Sequence, residues 1–390
     1  MDFIEDFVST TDVGLSPERY RRWVGLCLVA AALDRKVWTA LRRGIPLFPN
    51  LFVLLVGPPA TGKTQAILPA RALLDRFPAI ELCPDSITHE DFIRKLGERA
   101  TLSALEGTSR ATMAVFLSEW GTFLRKPDND TLSMLAAVYD SDRYSASTIS
   151  RGLDNATNLY VNILAGTTPA WFAEGFPANA YEQGLPTRMH FIWSESHETP
   201  PEFDFRETTE NVLNVELGAL VPAFKRIVAA KGFCAWEPDA AAAFNAWRAS
   251  GFEPVPLDPL LRGYTARRPL HAAKISVIVA VSRHPERLAV ALADWNRAKE
   301  IVLEAEPDMS VALAAAGGNI YQMQQRAAAS FVEAEYLKHR KGVPEHRVRR
   351  ALGRLVPPQA LNTILNEMIA QRQMHATGET PNRILMPGAH

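Results

Sequence analysis

The chain has 390 residues, of which 47% are hydrophobic and 22% charged, with a formal net charge of −1. That length exceeds one ordinary core and predicts two or three domains, while the near-zero charge excludes a polyelectrolyte, so any nucleic-acid surface must be local. The longest apolar run, Trp23 to Leu33, is about 11 residues where a membrane span needs about 20; with an acidic N-terminus lacking a signal-peptide pattern, and Cys27, Cys83 and Cys234 scattered without metal-ligand spacing, the expectation is a cytoplasmic protein with reduced thiols and no membrane partner.

Ser16-Pro17-Glu18 reads as a helix start, with an N-cap, a proline at the first helical position and an early acid. Apolar residues from Tyr20 through Trp38 and Leu41 follow at mostly helical spacing, with Gly44 as the stop. Leu51 to Val56 is apolar throughout, as buried parallel strands are. A glycine-bearing turn leads into a helix near Lys63. Further strands are predicted at Met113–Leu117, Leu159–Ala165 and Met189–Trp193. With helical segments between several of them, this is the rhythm of a sandwiched α/β sheet. From about Pro222 the periodicity becomes helical, with helices over 267–282 and 285–304 and a joint at 314–318. The tail reads as helices over 322–339, 345–355 and 357–371, then two short strands around Thr377-Gly378-Glu379. The predicted domains are an N-terminal helical segment (1–48), an α/β core (49–221), a helical lid (222–318) and a winged-helix-like module (319–390).

Gly57-Pro58-Pro59-Ala60-Thr61-Gly62-Lys63-Thr64 fits G-x-x-x-x-G-K-[ST] and lies between a buried strand and a helix, the context that phosphate-binding loop requires. Its glycines let backbone N–H groups close around phosphates, and the helix N-terminus adds positive potential. Lys63 is expected to reach the β- and γ-phosphates of ATP and Thr64 to ligate Mg²⁺. Ser118-Glu119 ends the next strand; Glu119 suits activation of the attacking water, and Ser118 is a weak or water-mediated metal ligand. Glu119 also reads as an ordinary strand-end glutamate. Thr167 and Thr168 end the third strand, placed either to sense a γ-phosphate or as plain turn residues before Pro169. Arg188 precedes the fourth strand, either as a finger toward a neighbouring subunit's nucleotide or as an ion-paired surface arginine. Arg267 and Arg268 open a helix where basic groups oppose the dipole, which points to an anion partner such as ATP; His271, on the same helix, reads as a satisfied core or interface histidine. The polar stretch 140–158 carries Arg143, Tyr144 and Arg151 and reads as a hairpin for a nucleic-acid backbone or as a solvated loop.

The order of these features resembles the AAA+ ATPases, particularly the minichromosome maintenance helicases, and is similar to P-loop ATPases and helicase-like proteins of phages and mobile elements. The shared order runs roughly from Pro49 to the end. In that family the acidic strand end resembles Phe116-Leu117-Ser118-Glu119, sensor 1 resembles Gly166-Thr167-Thr168-Pro169, the finger resembles Pro186-Thr187-Arg188-Met189, and the sensor-2 arginine falls on Arg267 or Arg268. A hairpin before sensor 1 and a C-terminal winged helix also belong to the family. The chain departs where Ser118 replaces an aspartate and Thr168 an asparagine.

From Lys338 onward nine Lys or Arg stand against three acids, an excess of +6 in a chain whose remainder is therefore −7. That asymmetry suits phosphate contact, with Arg347, Arg350 and Arg354 as candidates; a solvated helical face or a protein-docking module is the alternative. The expected function is an oligomeric, ring-forming Mg-ATP-driven motor on single- or double-stranded DNA, a helicase or translocase working with other replication proteins. A helicase loader or assembly switch, and a protein-remodelling or packaging ATPase, are the rivals.

Overall fold

Asp2 begins the fold. Its carboxylate accepts from Ile4 N at 3.2 Å and caps α1 (Phe3–Thr10). The computed structural model describes residues 2–12, 15–42, 44–105, 107, 109–123, 129–140, 143–148, 152–175, 184–195, 211–256, 258–316, 320–353, 356, 358–378 and 382–388. α2 (Glu18–Leu33) has Pro17 at its N-cap position, and no side chain caps it. It stops sooner than the apolar spacing predicts. Asp34 and Arg35 both take positive φ, 47° and 58°, and two left-handed residues in succession cannot continue a right-handed helix. Trp38 and Leu41 instead belong to β1 (Val37–Arg42), where buried Thr39 donates to the Cys234 carbonyl at 2.8 Å. β1 pairs antiparallel with β2 (Ile45–Leu47).

The central elements follow as β3 (Phe52–Val56), α3 (Lys63–Leu74), α4 (His89–Leu105), β4 (Ala111–Leu117), α5 (Asn129–Asp140), β5 (Arg143–Thr148), β6 (Gly152–Thr157), β7 (Leu159–Thr167), α6 (Pro169–Gly175) and β8 (Met189–Trp193). Four of these strands form an all-parallel sheet in the order β4-β7-β3-β8. Every residue of β3, β4 and β7 is buried, which is why they read as continuous apolar runs rather than alternating ones. A parallel bridge from Leu82 to Ala114 extends the β4 edge. The two faces are covered by different helices: His190 packs on Trp23 of α2 with the rings tilted, while the adjacent Phe191 meets Phe172 of α6 and Phe52 meets Tyr139 of α5. β5 and β6 form the antiparallel hairpin that 140–158 suggests.

Next come α7 (Asn211–Ala229), β9 (Gly232–Phe233), β10 (Ala235–Trp236), α8 (Pro238–Ala249), α9 (Arg262–Arg283), β11 (Ala289–Val290) and α10 (Leu292–Ala316). The boundary expected at 222 falls inside α7, which runs through Pro222. α9 starts at Arg262, so Arg267 and Arg268 stand in its second turn rather than its first. α10 starts at Leu292 rather than Pro285, because Ala289 and Val290 pair with β10. One apolar cluster runs from Phe3 to Leu313, so the segment 1–48 shares a single core with the parallel sheet and with α7 to α10.

The tail comprises α11 (Ile320–His339), β12 (Val343–Pro344), α12 (Glu345–Leu352), α13 (Pro358–Ala370), β13 (Met374–Thr377) and β14 (Ile384–Pro387), its strands antiparallel in the order β12-β14-β13. It has its own apolar cluster, from Ala327 to Leu385. Glu345, fully buried, is its polar node. Arg383 donates to it at 2.6 Å and Arg349 pairs with it one helical turn on. Burial alone would raise this carboxyl, but the two arginines outweigh burial and hold it below the usual range. Among the described residues no helix is long and apolar enough to cross a membrane.

Candidate functional site

The carboxyl ends of parallel strands are where open α/β sheets leave a crevice. β3 ends at Val56 in register with Thr167 of β7 and Trp193 of β8. The chain then makes a turn that tolerates few side chains. A Cβ at Gly57 would lie 2.7 Å from the Tyr20 hydroxyl and 2.9 Å from Thr61 Oγ1. Gly62 has φ +76°, and a Cβ there would lie 2.6 Å from Ser16 Cα. Ala60, between them, takes φ 62°, a conformation that costs a non-glycine residue strain and is held by the fold around it. Tyr20 ties α2 to this corner by donating to the Val56 carbonyl at 2.7 Å.

Lys63, 6% exposed, folds back into the turn. Its ammonium donates to the carbonyls of Gly57 (2.8 Å) and Pro58 (2.7 Å) and to Thr61 Oγ1 (3.0 Å). Burial pushes its pKa down and Glu119 opposes that shift. Glu119 is the mirror case, since desolvation raises its carboxyl and Lys63 lowers it. The two groups therefore face one another electrostatically from different strand ends.

Gly166 is what lets the strand ends close. A Cβ on it would sit 2.5 Å from the Ser118 carbonyl and 3.3 Å from Lys63 Cβ. With that approach made, Pro59 to Gln65, Glu119, Gly121, Thr122, Thr168 and Trp171 line one cleft of about 500 Å³. Thr168 serves both as a turn residue and as a wall of the cleft. Its hydroxyl oxygen accepts from Trp171 N at 3.4 Å and its carbonyl from Phe172 N at 2.8 Å, which starts α6, and its side chain also borders the cleft. Ser118 is half-buried and is not among the lining residues; its carbonyl lies close to Gly166. The side chains lining the cleft that carry oxygen are Thr61, Thr64, Gln65, Glu119, Thr122 and Thr168, with Glu119 the one carboxylate among them, and of these Thr64 and Glu119 could hold a cation. That suits Mg²⁺, which takes one or two protein ligands and fills its octahedron with water and phosphate oxygens.

Sequence reasoning missed Trp171 and Gly121. The indole, 42% exposed, lies over Gly121, where a Cβ would stand 2.9 Å from the ring. Neither residue belongs to the loop motif, and only the pairing of an aromatic on α6 with a small residue in the turn after β4 could have signalled them. A second cleft, of about 480 Å³, lies behind the turn between Pro17, Arg19, Trp193, Ser194 and Asp308. Arg19 bridges it, donating to both oxygens of Asp308 (2.7 and 2.9 Å) and to the Trp193 carbonyl at 3.2 Å. Burial lifts the Asp308 carboxyl to about 6 against the pull of Arg19.

The remaining candidates lie elsewhere. Arg188 precedes Met189, which pairs with Phe52, so it stands at the opposite end of the sheet from the turn, roughly 15 Å of strand away. There it is ion-paired to Asp140 at 2.7 Å, and Arg267 shares the same carboxylate at 2.8 Å. Arg268 does not line the cleft around Lys63. It is fully buried on Glu306 at 3.0 Å and over the Trp247 ring, pinning α9 to α10. His271 is a core residue, hydrogen-bonded to the Thr187 carbonyl at 2.9 Å. Arg347 and Arg350 are exposed on α12, Arg347 pairing with Glu335 at 2.7 Å. Arg151, Arg354 and the side chain of Arg143 lie outside the described residues. Comparison with protein-family models and with curated proteins finds no match.

Proposed function

We propose that the chain is a P-loop ATPase of AAA+ type that works as an oligomeric DNA motor, a helicase or translocase. The observation that carries this reading is the convergence of Lys63, Thr64, Glu119 and Thr168 on one cleft from three strand ends. Lys63 would exchange its three loop acceptors for phosphate oxygens, and the N-terminus of α3 would hold them by backbone N–H groups. Mg²⁺ on Thr64 would neutralise charge on the phosphates as the γ-phosphoryl leaves. Glu119, raised above the usual carboxylate range, would orient the attacking water and take its proton. Thr168 accepts from Trp171 N with its oxygen and keeps its own proton to donate to a γ-phosphate oxygen. The cleft bridged by Arg19 and Asp308 would take the base. Arg188, out of reach of its own cleft, would serve the nucleotide of an adjacent copy.

Lys338, Arg340, Lys341, Arg347, Arg350 and Arg372 are exposed on a folded tail of three helices and an antiparallel three-stranded sheet, and would contact DNA phosphates. A second reading, a tail that docks protein, draws support from α13, which carries no Lys or Arg. The test is the ATPase rate with and without single-stranded DNA, alongside strand displacement. Stimulation with displacement supports a helicase. Stimulation alone supports a translocase or loader, and an ATPase indifferent to DNA removes the motor reading.

A further inference from the structure

Asp140 is the last residue of α5, three positions before the β5–β6 hairpin. A carboxylate at a helix C-terminus is unfavourable unless cations meet it, and here two do. Arg188 donates to Asp140 Oδ2 from Nε at 2.8 Å and approaches it with Nη2 at 2.7 Å, while its Nη1 donates to the Gly184 carbonyl at 2.7 Å. All three nitrogens of this guanidinium are therefore engaged within its own chain. Arg267 Nη1 straddles the other side of the carboxylate, 3.1 Å from Oδ1 and 2.8 Å from Oδ2. The three side chains are only partly exposed, at 15%, 28% and 38% for Arg188, Arg267 and Asp140, so the group is neither solvated nor sealed. A planar guanidinium with both forks occupied cannot grip a phosphate bidentately.

We propose that Asp140 is a positioning residue and a brake: it holds Arg188 and Arg267 on the chain's own carboxylate until a phosphate of nucleotide bound to a second copy of the chain takes them over. This rests on the reading of Arg188 as a residue that acts on a neighbour's nucleotide. A triphosphate carries more charge than one carboxylate and presents oxygens to both arginines, so the exchange runs forward only when nucleotide is present on the neighbour. Release leaves Asp140 unpaired at the end of α5, next to the root of the hairpin, and so couples the state of the subunit interface to that hairpin.

The experiment is self-association of the full chain by sedimentation, with and without a non-hydrolysable ATP analogue, for the wild type, Asp140→Asn and Asp140→Glu. Removing two partly exposed ion pairs in competition with the phosphate shifts the midpoint by about tenfold. Asp140→Asn is expected to assemble at about a tenth of the wild-type protein concentration when the analogue is present and unchanged when it is absent, with Asp140→Glu returning toward the wild type. Asp140→Ala repeats the test without an amide that could itself bind arginine. An equal shift with and without analogue, or no shift in either, overturns the brake. Arg188→Ala separates the two levels. If it turns over ATP at the wild-type rate, the neighbour-arginine reading falls. If it is inactive while Asp140→Asn moves nothing, the brake alone falls.

Discussion

Gly166→Ala tests the geometry on which the cleft depends. The added methyl would lie 2.5 Å from the Ser118 carbonyl and 3.3 Å from Lys63 Cβ, and the first partner is backbone directly following the buried strand β4, which cannot swing aside as a side chain would. Overpacking of this kind costs about 1–3 kcal/mol, which for a unit of this size lowers the midpoint of thermal unfolding by several degrees, at roughly 2–4 °C per kcal/mol. The functional loss should exceed the loss of stability. Relief of the clash moves the end of β4, and with it Glu119, away from Lys63, and a misplacement of about 1 Å costs on the order of 100-fold in rate. The turn after β3 is tied to α2 by Tyr20, and its own contact with the added methyl, at Lys63 Cβ, is the longer of the two, so binding of an ATP analogue should fall less than turnover. The assay is ATP turnover at roughly room temperature, well below the unfolding midpoint of an ordinary domain, with binding of a fluorescent ATP analogue and a melting curve on the same sample. Turnover and melting both at wild-type values would show that β4 and β7 do not approach closely, and the shared cleft would lose its basis.

Glu119→Gln is expected to bind ATP with little loss while turnover stops, and Lys63→Ala to lose turnover and weaken binding; measured affinity and rate should separate the two variants in that order. Substituting Arg347, Arg350 and Arg354 with alanine should flatten the salt dependence of log K for DNA by roughly 0.7–0.9 for each phosphate that is no longer neutralised; a tail that docks protein would leave the slope unmoved. Glu345→Gln should destabilise the tail more than any surface change there, because Arg349 and Arg383 lose their buried counter-ion, an effect on the order of 3–5 kcal/mol; a tail melting transition at the wild-type temperature contradicts it. The carboxyl of Glu306 is raised by burial to about 7 from 4.5, with Arg268 opposing. The folded state thus holds a proton that the unfolded state has released, and this group's contribution to stability, present below its unfolded pKa of 4.5, is lost as pH rises through about 7. Glu306→Gln should flatten denaturation midpoints across that window, and an unchanged slope would mean the group titrates normally.

The turn Gly57–Thr64 and the helix it opens were legible because their conformation is set locally. Glycine at a left-handed position, a lysine and a threonine opening a helix are set by neighbours in sequence, and the unbroken apolar runs of β3, β4 and β7 announce strands buried on both faces. Three helices and two strands of the tail were readable from their apolar spacing and the turn at Thr377-Gly378, but β12 was not, since two residues carry no periodicity and the strand exists only through its pairing with β14. Spacing alone could not show where α2 ends, because Val37 to Leu41 is apolar enough for either helix or strand and the decision belongs to Asp34, Arg35 and the pairing of β1 with β9. Nor could it show the partners of charged groups. Arg267 and Arg268 are adjacent in sequence, yet one meets Asp140 at the surface and the other is buried on Glu306, since successive positions of a helix point about 100° apart. The sequence by itself thus determined where the glycine-bearing turn and the buried strands lie along the chain. The tertiary structure alone decided that Glu119 and Thr168 stand across from Lys63 while Arg188 does not, because strand order and the approach allowed by Gly166 are set by packing between segments far apart in the chain.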